Sequence, residues 1–152
     1  MLNANFKDML FALNDSKTEY LVVGAYAMAA FGCPRATGDL DIWIGHSIKN
    51  AELAWQALAS FGAPLGELQV SDLASPDIVF QIGVRPERID IITSIDGIEF
   101  HDAWQRHRVI NLSGIVVNVI GLEDLILNKQ STGRLKDAVD VELLKKMSQK
   151  DN

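Results

Sequence analysis

Apolar positions along the chain switch between two periods, and the switches mark its elements. Phe6, Met9, Leu10 and Leu13 recur at helical spacing, which predicts an amphipathic helix over residues 3–14. Tyr20–Val23 is a short apolar run ending at Gly24 and predicts a strand. Residues 25–31, rich in Ala and Met, favour helix until Gly32 and Pro34 stop it. Leu40, Ile42 and Ile44 then alternate with Asp39, Asp41 and Trp43, the period of two of a strand. Ser47 is placed to cap a helix over 48–60, with Leu53, Leu58 and Phe61 on its apolar side. Gly62, Pro64, Gly66 and Ser75-Pro76 mark a loop-rich middle. Residues 77–82 and 88–93 read as strands separated by Gly83 and Pro86. After Trp104, residues 109–112 and 115–120 form a strand pair that turns at Ser113-Gly114. Helices over 122–130 and 134–147 follow, divided at Thr132-Gly133. With no internal repeat, low-complexity segment or linker, the pattern predicts one mixed α/β (α+β) domain over 1–152. Its sheet lies centrally between flanking helices, and its C-terminal helices occupy about 121–148.

Composition narrows the function. The 152 residues are 48% hydrophobic and 22% charged, a globular and not a disordered balance. A chain of this length makes one domain that buries about two-thirds of its unfolded surface, which excludes a multidomain machine. The 14 Lys and Arg face 20 Asp and Glu, a net charge of -6. That excludes coating nucleic acid by bulk charge, which needs a basic footprint. Residues 1–83 hold 4 basic and 9 acidic side chains, so the net negative charge is concentrated in the first half. Cys33 is the only cysteine and supports neither a disulfide nor a zinc cluster; its neighbours Gly32 and Pro34 suggest a turn. The first apolar stretch, residues 20–32, follows Asp15 and Glu19 and is too short for a bilayer. A soluble cytoplasmic protein with no membrane partner is the expectation.

The acids carry the candidate chemistry. Asp39 and Asp41 leave the same face of one strand, with Cα atoms about 6.5 Å apart. So placed, they suit a hard cation such as Mg²⁺, which takes oxygen ligands; the plain alternative is a strand whose solvent face carries two acids. Asp90 sits among apolar neighbours in the run 88–93 and joins the pair if its strand lies beside 39–41. Otherwise it faces outward from an edge strand. Gly24, between a strand and a helix, offers its own amide and that of Ala25 to an anion, or is an ordinary turn. Arg35, four residues before Asp39, suits phosphate oxygens or pairs with a nearby acid.

The string Val23-Gly24-Ala25 followed by residues 32–42, Gly-Cys-Pro-Arg-Ala-Thr-Gly-Asp-Leu-Asp-Ile, resembles the signature of the polymerase-beta-like nucleotidyltransferase superfamily. That signature is a glycine turn, a helix, an acid-hydrophobic-acid strand, and a third acid on a later strand. The spelling is most similar to small stand-alone bacterial members, including abortive-infection toxins of toxin–antitoxin systems and minimal nucleotidyltransferases. Residues 88–93 match the third-acid strand, and residues 121–140, through Lys129, Arg134, Lys136, Asp137 and Asp140, resemble the C-terminal helices of the family. The likeness spans about residues 20–144.

The resemblance implies a nucleotidyltransferase-type fold and transfer of a nucleoside monophosphate from an NTP to a hydroxyl of an RNA, protein or small-molecule acceptor. Asp39, Asp41 and Asp90 would be catalytic and hold two Mg²⁺ ions. Gly24, Ala25, Arg35 and Lys129 would bind the nucleotide. Ala25 departs from the family, whose glycine is commonly followed by Gly or Ser, so Arg35 or Lys129 would have to strengthen the triphosphate grip. Lys129 ends an apolar stripe of Leu122, Leu125 and Ile126, as a phosphate ligand or as a snorkelling stem. Arg134, Lys136, Asp137 and Asp140 read as a solvated, salt-bridged helix face. Trp43 is expected to pack, and His46, His101 and His107 show no metal-ligand spacing. Arg85, Arg88, Arg106, Arg108, Lys129, Arg134 and Lys136 supply local positive charge for an RNA end, for triphosphate or for salt bridges. A cognate antitoxin or a second copy is the expected partner. The alternative is a catalytically weak nucleotide-binding module that acts through protein–protein interaction.

Overall fold

The structure, a computed structural model, describes residues 2–35 and 37–150. Met1, Asp151 and Asn152 of the expected 1–152 domain lie outside the described residues, as does Ala36 within the signature string.

The first helix, α1 (Ala4–Asp15), is capped by Asn3, whose side chain accepts from the Phe6 amide at 2.9 Å. The apolar stripe of Phe6, Met9, Leu10 and Leu13 is fully buried. Strand β1 (Tyr20–Val23) runs directly into α2 (Gly24–Ala30), so that helix begins at the glycine and not after it. Then come β2 (Asp39–Ile44) and α3 (Ile48–Phe61), whose Ser47 cap accepts from the Asn50 amide. Its buried side carries Ala51, Ala54, Ala57 and Leu58, with Phe61 half-buried against the core; small residues there let the helix lie close. Gly62 closes α3 in the left-handed conformation.

Two short helices were not visible in the apolar pattern: α4 (Val70–Leu73) in the loop-rich middle and α5 (Phe100–Gln105) before the second strand pair. Both are too short to develop a periodic stripe. Strands β3 (Val79–Ile82) and β4 (Arg88–Ile92) precede α5, and β5 (Arg108–Leu112) and β6 (Ile115–Val119) follow it. The β5–β6 turn holds Ser113 at φ 53° and Gly114 at φ 88°, the backbone twist that two-residue hairpins favour. Helices α6 (Leu122–Ser131) and α7 (Leu135–Lys150) pack on each other. Among the described residues no helix is long and apolar enough to cross a membrane.

The strands form one six-stranded mixed sheet in the order β3-β4-β2-β1-β6-β5. Strand β2 is antiparallel to β1 and parallel to β4. Leu40, Ile42, Ile89 and Ile91 are buried, and Trp43 packs edge-to-face on Phe100 with ring centres 5.1 Å apart. The expectation of a packing role for Trp43 holds. His107 stacks on Trp104 at 4.0 Å, a structural role as expected.

Asn50 ties the sheet together at the end far from β2's acids. Its side chain accepts from the Glu19 amide at 2.7 Å and donates to the carbonyls of Glu19 at 2.9 Å and Gly45 at 2.7 Å. It is one of the few buried polar side chains, and its loss strands the Glu19 amide and the Gly45 carbonyl, while the Glu19 carbonyl keeps the Gly45 amide. Asn50→Ala should cost about 2–3 kcal/mol in denaturant unfolding with an unchanged slope.

Candidate active site

The parallel register of β2 and β4 sets Asp39 beside Arg88 and Asp41 beside Asp90. Adjacent strands lie about 4.8 Å apart, and residues two apart share a face, so the three acids and Arg88 crowd one patch of sheet. Asp90 is buried and Asp39 and Asp41 are half-buried. Since β4 lies between β3 and β2, Asp90 belongs to an interior strand and not to an edge.

Burial followed by the negative charges of Asp90 and Asp39 pushes the Asp41 carboxyl up to about 6, against the opposing charge of Arg88. The neighbouring Asp90 carboxyl, within hydrogen-bonding reach, adds to the rise. Burial also raises Asp90, with Arg88 pulling it back and Asp39 pushing it further. Carboxylates in this state repel one another unless a cation joins them.

Two guanidinium groups do so. Arg85 donates through Nε to Asp39 Oδ1 at 3.0 Å and through a terminal nitrogen to Oδ2 at 2.9 Å. Arg88 reaches Asp39 Oδ2 at 2.9 Å and also contacts Asp90, with Nε 3.2 Å from Oδ1. That last contact is misaligned, and the buried Asp90 Oδ1 accepts no hydrogen bond. Among the described residues no three His, Cys, Asp or Glu side chains converge as a ready-made metal cage. Hard oxygen donors around a bridging cation are nevertheless the donor chemistry that Mg²⁺ takes.

Gly24 closes the patch from the β1 side. It has a φ of +68°, and a Cβ built on it would collide with Asp41 Oδ2. The glycine is needed twice there, for the turn and for room under the carboxylate.

The helix side presents the opposite balance. Asp137 and Asp140 of α7 are fully buried, which corrects the expectation of a solvated face. Lys129 of α6 donates to Asp140 at 3.0 Å and to Asp137 at 3.3 Å. Arg134 donates to Asp137 at 2.7 Å, the anticipated i,i+3 pair, and Thr132 donates to the same carboxylate at 2.7 Å. Arg35 pairs with Asp140. Burial alone would raise Asp137, but the hydrogen bonds from Thr132 and Arg134 and the charge of Lys129 hold it below the usual carboxylate range. Lys129 therefore neither snorkels nor stands free; it bridges two acids.

Both sides line one cavity of about 530 Å³. The seven residues singled out from sequence, Gly24, Ala25, Arg35, Asp39, Asp41, Asp90 and Lys129, all line it. Sequence reading gave Arg85 and Arg88 only a diffuse charge role. The signal for Arg88 was present, since it stands two residues before Asp90 on a strand and must share its face. Arg85 comes from a loop, and nothing in its neighbours announces the reach to Asp39.

No protein-family model matches the sequence, and no curated protein does. Solved structures do share the fold. A provisionally named nucleotidyltransferase from Thermotoga maritima superposes with a TM-score of 0.56 at 18% identity, covering 93% of this chain and 89% of its own. An antigenic nucleotidyltransferase-like protein from Paracoccidioides brasiliensis gives 0.53 at 17% identity, covering 94% and 74%. The fold is the nucleotidyltransferase type, a mixed sheet flanked by helices, as the signature implied.

The raised Asp41 has a stability consequence with a definite sign. Its folded value lies above the ordinary 3.8, so its ionisation opposes folding. That penalty is absent below about pH 4, grows as pH rises toward 6, and is constant above. Asp41→Asn keeps a donor for Asp90 and should stabilise the chain by roughly 1–3 kcal/mol at pH 7.5. Denaturant unfolding at pH 4 and pH 7.5 checks this: the gain should vanish at the lower pH. Gly24→Ala, in contrast, should destabilise the chain, and replacing Asp41 by Ala in the same molecule should recover part of the loss.

Proposed function

We propose that the chain is a Mg²⁺-dependent nucleotidyltransferase that moves a nucleoside monophosphate from an NTP to a hydroxyl acceptor. The observation that carries the reading is the in-register cluster of Asp39, Asp41 and Asp90 in one cavity with Lys129, Arg35 and Arg134. The nucleotidyltransferase fold raises its prior without deciding the chemistry, since one fold hosts many functions.

In this reading Asp39, Asp41 and Asp90 would hold Mg²⁺, two ions by the family resemblance, with Asp90 serving the acceptor side. Bound there, Mg²⁺ supplies charge neutralisation at the attacking and leaving oxygens. Asp90, set beside Asp41 in the cavity, would also take the proton of the acceptor hydroxyl. Lys129, Arg35 and Arg134 outnumber Asp137 and Asp140 by one charge, so the helix side keeps a net attraction for the triphosphate. The backbone amides of Gly24 and Ala25 add to it, and the missing hydroxyl at Ala25 is offset by these cations. Pyrophosphate is the leaving group. The acceptor hydroxyl belongs to an RNA, a protein or a small molecule. A toxin role within a toxin–antitoxin pair extends this reading on the signature spelling of residues 34–41.

A second reading is favoured by one observation. Both oxygens of Asp39 are held by arginines, and Ala25 lacks the family's usual side chain. A catalytically weak nucleotide-binding module that works through protein interaction would tolerate both.

One assay separates the readings. The full chain is incubated with α-phosphate-labelled NTPs, Mg²⁺ and a pool of RNA and protein acceptors. Transfer of label with pyrophosphate release is expected, and Asp90→Asn should lower its rate by about 10²–10⁴ while leaving NTP binding largely intact. Binding without transfer selects the second reading; neither binding nor transfer would falsify both.

A further inference from the structure

The same acid cluster carries one more assignment, which rests on the metal-site reading above. We infer that Arg85 is an exchangeable counter-cation: it holds Asp39 until a divalent cation takes that carboxylate, and then turns its guanidinium to a nucleotide phosphate.

The two arginines on Asp39 are built differently. Arg88 begins β4, its amide donates to the Gly38 carbonyl at 3.1 Å, and its guanidinium is shared between Asp39 and Asp90. It belongs to the sheet. Arg85 lies in the loop between β3 and β4, its side chain is 67% exposed, and among the described residues its guanidinium pairs with Asp39 alone. It spends both arms of its fork on the two oxygens of that one carboxylate, which are the oxygens a cation shared between Asp39 and Asp41 needs. Its guanidinium stands in solvent, so water and salt screen it and it gives up the pair more readily than the half-buried Arg88 does.

The path of Arg85 is also prepared. A Cβ on Gly38 would come within 2.9 Å of both Cβ and Cγ of Arg85, so the bare glycine lets the arginine stem lie across the start of β2. Val84, next to it, is 79% exposed, so its side chain does not anchor the loop. Arg85 lines the cavity together with Lys129 and Arg134, within the space a triphosphate would occupy. Once displaced from Asp39, a guanidinium there meets phosphate oxygens, whose geometry its fork matches in two parallel hydrogen bonds. The cation and the arginine thus exchange anions, and the cavity keeps its charge balance when metal and nucleotide enter together.

The exchange predicts effects of opposite sign on the two ligands, which a merely structural residue cannot produce. Mn²⁺ binding to the full chain without nucleotide is measured from the free-ion resonance signal, and binding of a non-hydrolysable NTP analogue in the presence of Mn²⁺ by calorimetry. Arg85→Gln should bind Mn²⁺ about two- to five-fold more tightly, because a competitor is gone. The same variant should bind the analogue about ten-fold more weakly, because a phosphate partner is gone. Arg85→Lys keeps the charge without the fork and should fall between wild type and Gln for the analogue. Weakening of both ligands, or an unchanged Mn²⁺ affinity beside normal analogue binding, overturns the exchange and leaves the metal site standing. If neither wild type nor variant binds Mn²⁺ at all, the metal-site reading itself falls, and this inference with it.

Discussion

The parallel pairing of β2 with β4 is the constraint on which the rest of the site depends. It places Asp41 against Asp90 and Asp39 against Arg88, and no side-chain adjustment can separate them. Carboxylates fixed that close in a half-buried patch must keep a proton, gain a cation or both. Here Asp41 is pushed up to about 6 beside Asp90, while Arg85 and Arg88 draw in on Asp39. Gly24 follows from the same constraint, because the Asp41 carboxylate fills the space where a side chain at residue 24 would stand.

The cavity treats charge in two ways. On the sheet, acids outnumber the arginines that serve them, and the surplus negative charge helps push Asp41 up. On the helices, buried Asp137 and Asp140 are surrounded by Lys129, Arg134 and Arg35, and cations are in excess. Burying Asp137 costs free energy that its hydrogen bonds more than offset, hence its lowered value. A pocket negative on one side and positive on the other favours a ligand that is itself polarised, with metal at one end and phosphate at the other.

Most of this architecture was legible in the sequence where local rules act. The α1 stripe, the Ser47 cap, the β2 alternation and the Ser113-Gly114 turn each depend on neighbours within a few residues, and each stands as expected. The seven candidate residues share one cavity because a glycine turn, an acid pair on a strand and a cation ending an apolar helix stripe are likewise local patterns. What escaped was set by tertiary contact. The helices α4 and α5 are shorter than the period that would reveal them. Asp137 and Asp140 look solvated because a charged run on a helix usually is; only the docking of α7 on α6 shows that they are buried against Lys129. Arg85 is the extreme case, 46 residues from the carboxylate it holds.

Strand β2 leaves the β1 side early in the chain, while its parallel neighbour arrives only after α3, α4 and β3 have been made. Pairings of such long sequence separation close late in folding, because loop entropy must be overcome before they are rewarded. The acid cluster therefore depends on a non-local pairing and is absent until that pairing forms. A nascent or partly unfolded chain carries Asp39 and Asp41 on a strand with no third acid and no bridging guanidinium from β4. Only completion of the sheet brings the three acids and Arg88 onto one face.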